Sequence, residues 1–577
     1  MSLRAKRSIL RRPAVKPAVQ SPDLLPVVAR LYASRGAGPD EFDYSLGRLA
    51  HSERLGGLDQ AAALLETQVR QGGRILIVGD FDADGATSTA LAVRALRAMG
   101  AADVDYLVPN RFEYGYGLTP EIVEVAAERR PDLIVTVDNG ISSEQGVETA
   151  RQRGISVLVT DHHLPGARLP AADAIVNPNL PGDEFPSKHL AGVGVIFYVL
   201  SSLRSRLQAG GWFESRGIQC PNLATYLDLV ALGTVADVVP LDYNNRILVE
   251  QGLRRIRAGA CVPGIRALLE VAGRRPERVT AGDLGFAVGP RLNAAGRLED
   301  MSLGIECLLT EDAGEARRLA ERLDVLNRER REIEATMQAQ ALESLEGLMA
   351  SLDTEHPPAA LTLYDSDWHQ GVIGILAARI KERVHRPVIA FAEAGPGMLK
   401  GSARSIPGLH IRDALDEVAA RHPGLIDKFG GHAMAAGLSL PADRLAAFRA
   451  AFEETVTGLV DPDDLEGRIE SDGELASGDF TLELGEALRA SGPWGQGFPE
   501  PLFDGEFEIV QRRVVGERHL KLVLRALAGG PTVDAIAFGF HPEDWPEDRA
   551  TVHVAYRLDV NEYQGVRRLQ LIVEHVQ

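Results

Sequence analysis

From about residue 55 to residue 300, short runs of apolar, mostly β-branched residues alternate with amphipathic stretches of helical period. That alternation predicts a doubly wound α/β domain built on a parallel sheet. Three of the apolar runs stop abruptly on carboxylates or imidazoles. Arg74–Gly79 leads into Asp80-Phe81-Asp82-Ala83-Asp84-Gly85, Leu133–Val137 into Asp138-Asn139-Gly140, and residues 155–160 into Asp161-His162-His163. Continuous apolar runs of this length read as strands buried on both faces, and open sheets of such strands place ligands at their carboxyl ends. Three strands delivering acids and imidazoles to one edge would build an anionic cluster that is untenable without cations.

The pattern changes twice further along. Residues 315–349 carry apolar positions at helical spacing among many charges with almost no breakers, which predicts a long, partly exposed connector helix. A second α/β unit follows, with strands at 360–364 and 387–391 and a helix at 371–384. Beyond 460, five segments alternate apolar and polar residues: 503–515, 519–524, 533–538, 552–560 and 567–576. They predict a small antiparallel barrel of the OB type. The expected fold class is therefore α/β: two α/β domains joined by a long helix, plus a C-terminal β-barrel. The expected boundaries are an N-terminal extension at 1–54, Pro-rich and basic and then helical, a first domain at 55–305 and a connector at 306–355. The second α/β domain follows at 356–460 and the barrel at 461–577.

Composition narrows the setting. A chain of 577 residues with 45% hydrophobic content can fill three or four cores. No apolar stretch approaches a membrane span, and the basic N-terminus lacks the apolar core of a secretory signal. Cys220, Cys261 and Cys307 are scattered without metal-type spacing, which fits a reducing cytoplasm and neither a disulfide framework nor a zinc site. The net charge of −19 is awkward for a protein that holds nucleic acid, but phosphates need local positive charge, not a positive total. Basic runs at 4–16, 254–257, 274–278 and 512–513 could supply it, or could be solvated surface.

Asp80, Asp82 and Asp84 stand at i, i+2 and i+4, where an extended segment would project them to one side. Hard divalent cations take several oxygen ligands, and imidazole from His162 or His163 favours Mn²⁺ over Ca²⁺. Two such ions about 3.5–4 Å apart could activate a water and stabilise the leaving oxygen of an in-line displacement at phosphorus, with Asp138 as a bridging carboxylate. A strand followed by Asp-x-Asp also opens phosphotransferases in which the first Asp is a covalent nucleophile. That alternative employs Asp80 and Asp82 but leaves Asp138 and the Asp161-His162-His163 triplet idle.

Other segments could handle an anionic polymer. Gly430-Gly431 would let backbone N–H groups approach a phosphate, or form a simple turn. His369 and Gln370 open a helix, a position suited either to an anion or to capping. Arg291, Asn293 and Arg297 share a Gly/Ala-rich turn, and arginine suits phosphate forks. Arg111, Tyr114 and Tyr116 lie in a glycine loop, as base-stacking groups or as packing anchors. Trp494 and Phe498, in GPWGQGFPEPLF, are expected to pack between domains.

Nine motifs stand in a fixed order: GDFDADG at 79–85, PNRFEYGYGL at 109–118, VDNG at 137–140, TDHH at 160–163, GTVADVVPL at 233–241, PRLNAAGR at 290–297, WHQGVIGI at 368–375, GSARS at 401–405 and GGHAMAAG at 430–437. Through them the sequence resembles the DHH phosphoesterase superfamily over about residues 30–577, and within it the bacterial single-strand-specific DNA exonucleases. The resemblance implies a DHH domain followed by a DHHA1 domain, with metal ligation by Asp82, Asp84, Asp138, His162 and Asp237. Asp80 would ligate or stand just behind the ligands, His163 would ligate or contact the scissile phosphate, and Asp161 and Asn139 would support the ligands from behind. Arg404 and His432 would grip phosphate across a cleft, with Asn293 and Arg297 beside the DNA path. Arg512, Arg513, Lys521 and Arg568 would extend the grip onto the barrel.

The implied activity is a cytoplasmic, Mn²⁺- or Mg²⁺-dependent exonuclease with two ions per site. It would cut single-stranded DNA 5′ to 3′ into mononucleotides in recombination and repair. A pathway too narrow for duplex would give the single-strand preference. Implied partners are a single-strand-binding protein and a RecQ-type helicase, with no membrane and a monomeric state. Two alternatives stand beside it. A DHH phosphodiesterase of short oligonucleotides or cyclic dinucleotides would not need the barrel, and a catalytically dead DNA-binding scaffold would not need acids at 82, 84, 138 and 237.

Overall fold

The computed structural model describes residues 7–13, 15, 24–109, 117–351, 358–516, 518–546, 549–563 and 565–577. The chain divides into two compact units, one of residues 14–327 with 486–500, the other of residues 1–13, 328–485 and 501–577. A strand at Arg7–Arg11 (β1) opens the second of these.

The first unit is built on strands Arg74–Gly79 (β2), Asp103–Leu107 (β3), Leu133–Val137 (β4), Ser156–Thr160 (β5) and Ala174–Val176 (β6). They form one sheet of order β3-β2-β4-β5-β6 in which every pairing is parallel. Ile75, Leu76, Ile77 and Val78 of β2, and Leu133, Ile134 and Val135 of β4, are fully buried. Each such side chain contributes about 1.5–3 kcal/mol. Helices Ala83–Ala98 and Gly192–Ala209 pack on this sheet unit, and helix Leu227–Ala236 packs on both. After β2 the chain steps outward to β3 and then returns to the other side of β2 as β4. The edge above β2 and β4 is therefore a topological switch point, where doubly wound folds hold ligands. Asp80 and Asp138 stand there.

Residues 486–500 belong to this unit, and Trp494 and Phe498 find their partners within it. Their rings stack at 5.1 Å, Tyr32 meets the edge of Phe498 at 5.3 Å, and the Arg246 guanidinium lies 4.2 Å from the Phe498 ring centre. The aromatics are thus occupied in packing.

The connector helix spans Ala313–Ser351, and the division between units falls inside it. Its Met337 and Ala341 pack with Leu361, Ile373, Leu376 and Val388 in the second unit. There, strands Leu361–Tyr364 (β7), Val388–Glu393 (β8), Met398–Arg404 (β9), Lys428–Gly431 (β10) and Ala435–Pro441 (β11) form a mixed sheet of order β10-β11-β9-β8-β7. Strand Gly467–Ser471 (β12) pairs in parallel with β1. The barrel comprises Phe503–Val515 (β13), His519–Ala526 (β14), Thr532–Phe538 (β15), Thr551–Tyr563 (β16) and Val566–Val576 (β17). It closes in the order β13-β14-β15-β17-β16, with β15 and β17 parallel and the other pairs antiparallel. That is the Greek-key barrel of an OB-fold.

Strand β1 differs from the expectation for residues 1–54, which foresaw a helix there and no strand. The helix exists, at Pro26–Ser34. The strand has no apolar alternation to betray it, because nearly all its residues are exposed. Charge holds it: Arg11 bonds Asp504 at 2.7 Å, and Arg12 pairs with Glu470 at 3.0 Å and Asp472 at 3.2 Å.

Candidate metal centre

The aspartates after β2 do not lie on an extended segment, as their alternate spacing suggested. The chain turns sharply, and helix Ala83–Ala98 begins within the motif. Asp82 is its N-cap, with Oδ1 accepting the amides of Asp84 at 2.9 Å and Gly85 at 3.0 Å. Asp84 lies in the first turn and is 1% exposed. Its two carboxylate oxygens accept the amides of Gly192 at 2.6 Å and Val193 at 3.0 Å, at the start of helix Gly192–Ala209. Two helix N-termini thus converge on this pair of acids, a favourable placement for anionic side chains.

Asp138 follows β4 with φ 62°, in the left-handed region that non-glycine residues rarely occupy. Gly192 lies so close that a β-carbon there would sit 2.6 Å from the Asp138 β-carbon. His162 brings Nε2 to 3.1 Å from Asp138 Oδ1 and 3.5 Å from Asp237 Oδ2. Asp237 ends the helix Leu227–Ala236. Ligand atoms fall within 4.8 Å of one another in three overlapping groups: Asp80, Asp82 and Asp138; Asp84, His162 and Asp237; and Asp138, His162 and His163.

Asp161 serves differently. Its Oδ1 takes His163 Nδ1 at 2.8 Å and the amides of His162 and His163 at 2.7 and 3.1 Å, and its Oδ2 takes the Ile141 amide at 2.9 Å. It fixes the triplet from behind and engages Nδ1 of His163. Asn139 donates to the carbonyls of Val78 at 3.1 Å and Val137 at 2.9 Å, tying together the ends of β2 and β4.

The electrostatics match a centre built for cations. Burial, reinforced by Asp82, pushes the Asp84 carboxyl up to about 7 despite its two amide donors. Burial and the charges of Asp84 and Asp82 raise Asp138 and Asp237 well above the usual carboxylate range. For Asp161, burial acts upward but is outweighed by the hydrogen bond and charge of His163, so its pKa is lowered. Burial would lower His163, yet Asp161, Asp80 and Asp82 raise it. Hard divalent ions fit this oxygen-rich, imidazole-bearing set, because they supply the positive charge the carboxylates lack.

Some supports escaped the sequence. Asn179 and Asn177 donate to the carbonyls of His162 at 2.6 Å and His163 at 2.9 Å, clamping the triplet's backbone. Their only signal was a polar VNPNL turn after β6. Gly192 and Val193, which hold Asp84, lay in an unremarkable small-residue stretch.

The other expected site residues fare unevenly. Asn293 Oδ1 accepts the Ala83 amide at 2.8 Å, so it positions the metal loop. Arg297 is half-buried in the last turn of helix Gly289–Leu298. Arg291 departs from its expected phosphate role. It is buried, bonds the Ala287 carbonyl at 2.6 Å, and meets Asp324 at 2.8 Å as a strut to the connector helix. Arg111, Tyr114 and Tyr116 lie outside the described residues.

In the second unit, Arg404 donates to Ser402 Oγ at 3.2 Å and the Ala403 carbonyl at 2.8 Å, and burial lowers its pKa. Gly374 sits against its guanidinium. His369 and Gln370 precede the helix Ile373–Val384 instead of opening it, and His369 Nδ1 takes the Gly371 amide at 3.1 Å. Of the glycine pair, Gly431 is required by the hairpin itself, since a β-carbon would lie 2.4 Å from the Ala435 carbonyl. Only Gly430 faces open space, and His432 is exposed beside it.

Known proteins share these domains. A model of the DHH family N-terminal domain matches residues 74–234, a DHHA1 domain model matches residues 358–458, and a RecJ OB domain model matches residues 471–575. The single-stranded-DNA-specific exonuclease RecJ of Dickeya dadantii is 59% identical over 98% of each chain. That of Escherichia coli is 57% identical over 98% of each. The crystal structure of RecJ from Thermus thermophilus in complex with Mn²⁺ superposes with TM-score 0.81 at 33% identity, covering 100% of this chain and 80% of that one. The Mg²⁺ complex gives TM-score 0.73 at 32% identity, over 96% of this chain and 75% of that one. Among the described residues, no helix is long and apolar enough to cross a membrane.

Proposed function

This chain belongs to the RecJ family of DHH phosphoesterases, and from that premise we propose a metal-dependent exonuclease that digests single-stranded DNA from the 5′ end to mononucleotides, in recombination and repair. The observation that carries the reading is the buried acid–imidazole cluster at the switch point of the parallel sheet, in a chain that also carries a RecJ OB domain. Asp80, Asp82, Asp84, Asp138, His162 and Asp237 would hold two ions, Mn²⁺ or Mg²⁺. When bound, such ions supply Lewis acidity and lower the pKa of water at neutral pH.

The rest falls to the chain's own groups. Asp138, whose carboxylate joins two of the three ligand groups, would be shared between the ions. Asp161 holds His163 so that its outer nitrogen meets the scissile phosphate. Arg404, set among neutral oxygens, and His432 beside Gly430 would take further phosphates of the strand. The barrel would hold single-stranded DNA beyond the site. The same proposal places the enzyme in the cytoplasm as a monomer, beside a single-strand-binding protein and a RecQ-type helicase.

Digestion of single strands labelled at either end, with Mn²⁺, Mg²⁺ or chelator, tests the reading. Early release of label from the 5′ end as mononucleotide, abolished by chelator, is expected. Release from the 3′ end, metal-independent cleavage, or preference for dinucleotides over long strands would overturn it.

A further inference from the structure

Phe286 is 84% exposed, more than any other large apolar side chain among the described residues. It lies in a π-helical turn, Leu284–Val288, whose Leu284, Ala287 and Val288 are buried. Turns of this kind recur at functional sites. The turn is not loose: Arg291 bonds the Ala287 carbonyl at 2.6 Å and is itself held by Asp324.

Its neighbours belong to the metal centre. Gly285 packs on the Val235 side chain, and Gly289 packs on Ala236, the residue before Asp237. Helix Gly289–Leu298 then runs to Asn293, which holds the Ala83 amide, and to Gly296, whose missing β-carbon makes room for the Phe81 carbonyl. The turn that carries Phe286 and the helix that follows it are thus anchored to two of the three stretches of backbone that deliver cluster acids, 80–84 and 237, the third being the end of β4 with Asp138. A second irregularity follows Asp237 in the chain. Val238, directly after Asp237, is 64% exposed and has φ 60°, a conformation costly for a β-branched residue.

We propose that Phe286 is a stacking platform for a base of the strand being cut, with Val238 as an apolar neighbour, and that it contributes to selection of unpaired DNA. This inference rests on the proposed function and names a specificity residue for it. A flat, exposed aromatic face on a held turn, packed against the helix end that delivers Asp237, suits a nucleobase, and stacking on it is tolerant of sequence. Within a duplex both faces of a base are covered by its neighbours, so an internal base can use the platform only when it is unpaired and unstacked.

The experiment compares the Mn²⁺-loaded protein with Phe286→Ala and Phe286→Trp on short single strands, intact or abasic at successive positions from each end. Because the side chain is exposed, thermal stability should not change in either variant. Phe286→Ala should raise KM about tenfold, with the loss mainly in KM and not in kcat, and Phe286→Trp should restore it. The difference between wild type and Phe286→Ala should vanish when one particular base is missing. An unchanged KM in Phe286→Ala, or an equal loss on every abasic strand, overturns the inference while leaving the exonuclease reading intact. A wild-type protein that does not cut single strands overturns both.

Discussion

At the scale of single residues, the centre depends as much on what surrounds the acids as on the acids themselves. Asp138 belongs to two of the three ligand groups. Asp138→Ala should lose several kcal/mol of transition-state stabilisation, on the order of a thousandfold or more in rate under saturating metal. Near-normal turnover would defeat the two-metal reading. A subtler test is Gly192→Ala, where the added β-carbon would fall 2.8 Å from the Asp138 α-carbon on backbone that cannot yield cheaply. Overpacking there should cost about 1–3 kcal/mol of stability. It should also cut activity disproportionately, because it displaces Asp138 and the amides that hold Asp84. Chemical denaturation and activity measured on the same preparation separate the two effects, and unchanged activity would show that the contact is not needed. Most of the acids were legible in the sequence because strands ending on Asp are conspicuous. Asp237 was not, since a lone Asp after Leu229-Val230-Ala231-Leu232 looks like a helix end, which it also is. Gly192, Asn177 and Asn179 act through backbone contacts that no linear pattern encodes.

At the scale of elements, periodicity located what buries an apolar face and missed what does not. The barrel strands and the connector helix appear close to their expected limits, because alternation and helical spacing report burial directly. Strand β1 buries almost nothing and is held through Arg11, Arg12 and the buried acid Asp504, so hydropathy was silent. That mode of attachment has a pH signature. Burial would raise the Asp504 pKa, but hydrogen bonds from Arg11, Ser471 and His553 outweigh it and hold it below the ordinary value. A depressed folded-state pKa means stabilisation that is complete above about pH 4, the unfolded carboxylate range, and lost as pH falls through the lower folded value. Relative to intrinsic exchange, protection of the amides that face across the β1–β12 pairing should therefore fall below about pH 4 more than protection in the barrel strands. Asp504→Asn should abolish that difference. Equal acid sensitivity in the variant would assign the attachment to backbone pairing alone.

At the scale of the whole molecule, the net charge of −19 ceases to be an obstacle once its placement is considered. Part of the negative charge is concentrated in one buried cluster, where Asp84, Asp138 and Asp237 are all pushed toward protonation by burial and by neighbouring carboxylates, Asp82 among them in each case. The first unit folds around this repulsion and bears its cost until cations bind. Metal should therefore act as a folding ligand for that unit specifically. At a free Mn²⁺ concentration a hundred times its dissociation constant, linkage stabilises the unit by about 2.7 kcal/mol, on the order of a hundredfold in its opening equilibrium. Hydrogen exchange followed by mass spectrometry should then slow by up to that factor in β2, β4 and helix Gly192–Ala209, whose ends carry the ligands and their supports. Exchange in the barrel strands β13 to β17 should stay the same. K⁺ at equal ionic strength should not reproduce the effect, which separates specific binding from screening. Asp138→Asn, by removing one negative charge, should slow exchange of the metal-free unit while reducing the further gain from Mn²⁺. If Mn²⁺ protected both units alike, or if Asp138→Asn destabilised the metal-free unit, the cluster would have to be a set of acids already satisfied by the fold, with no electrostatic cost for metal to relieve.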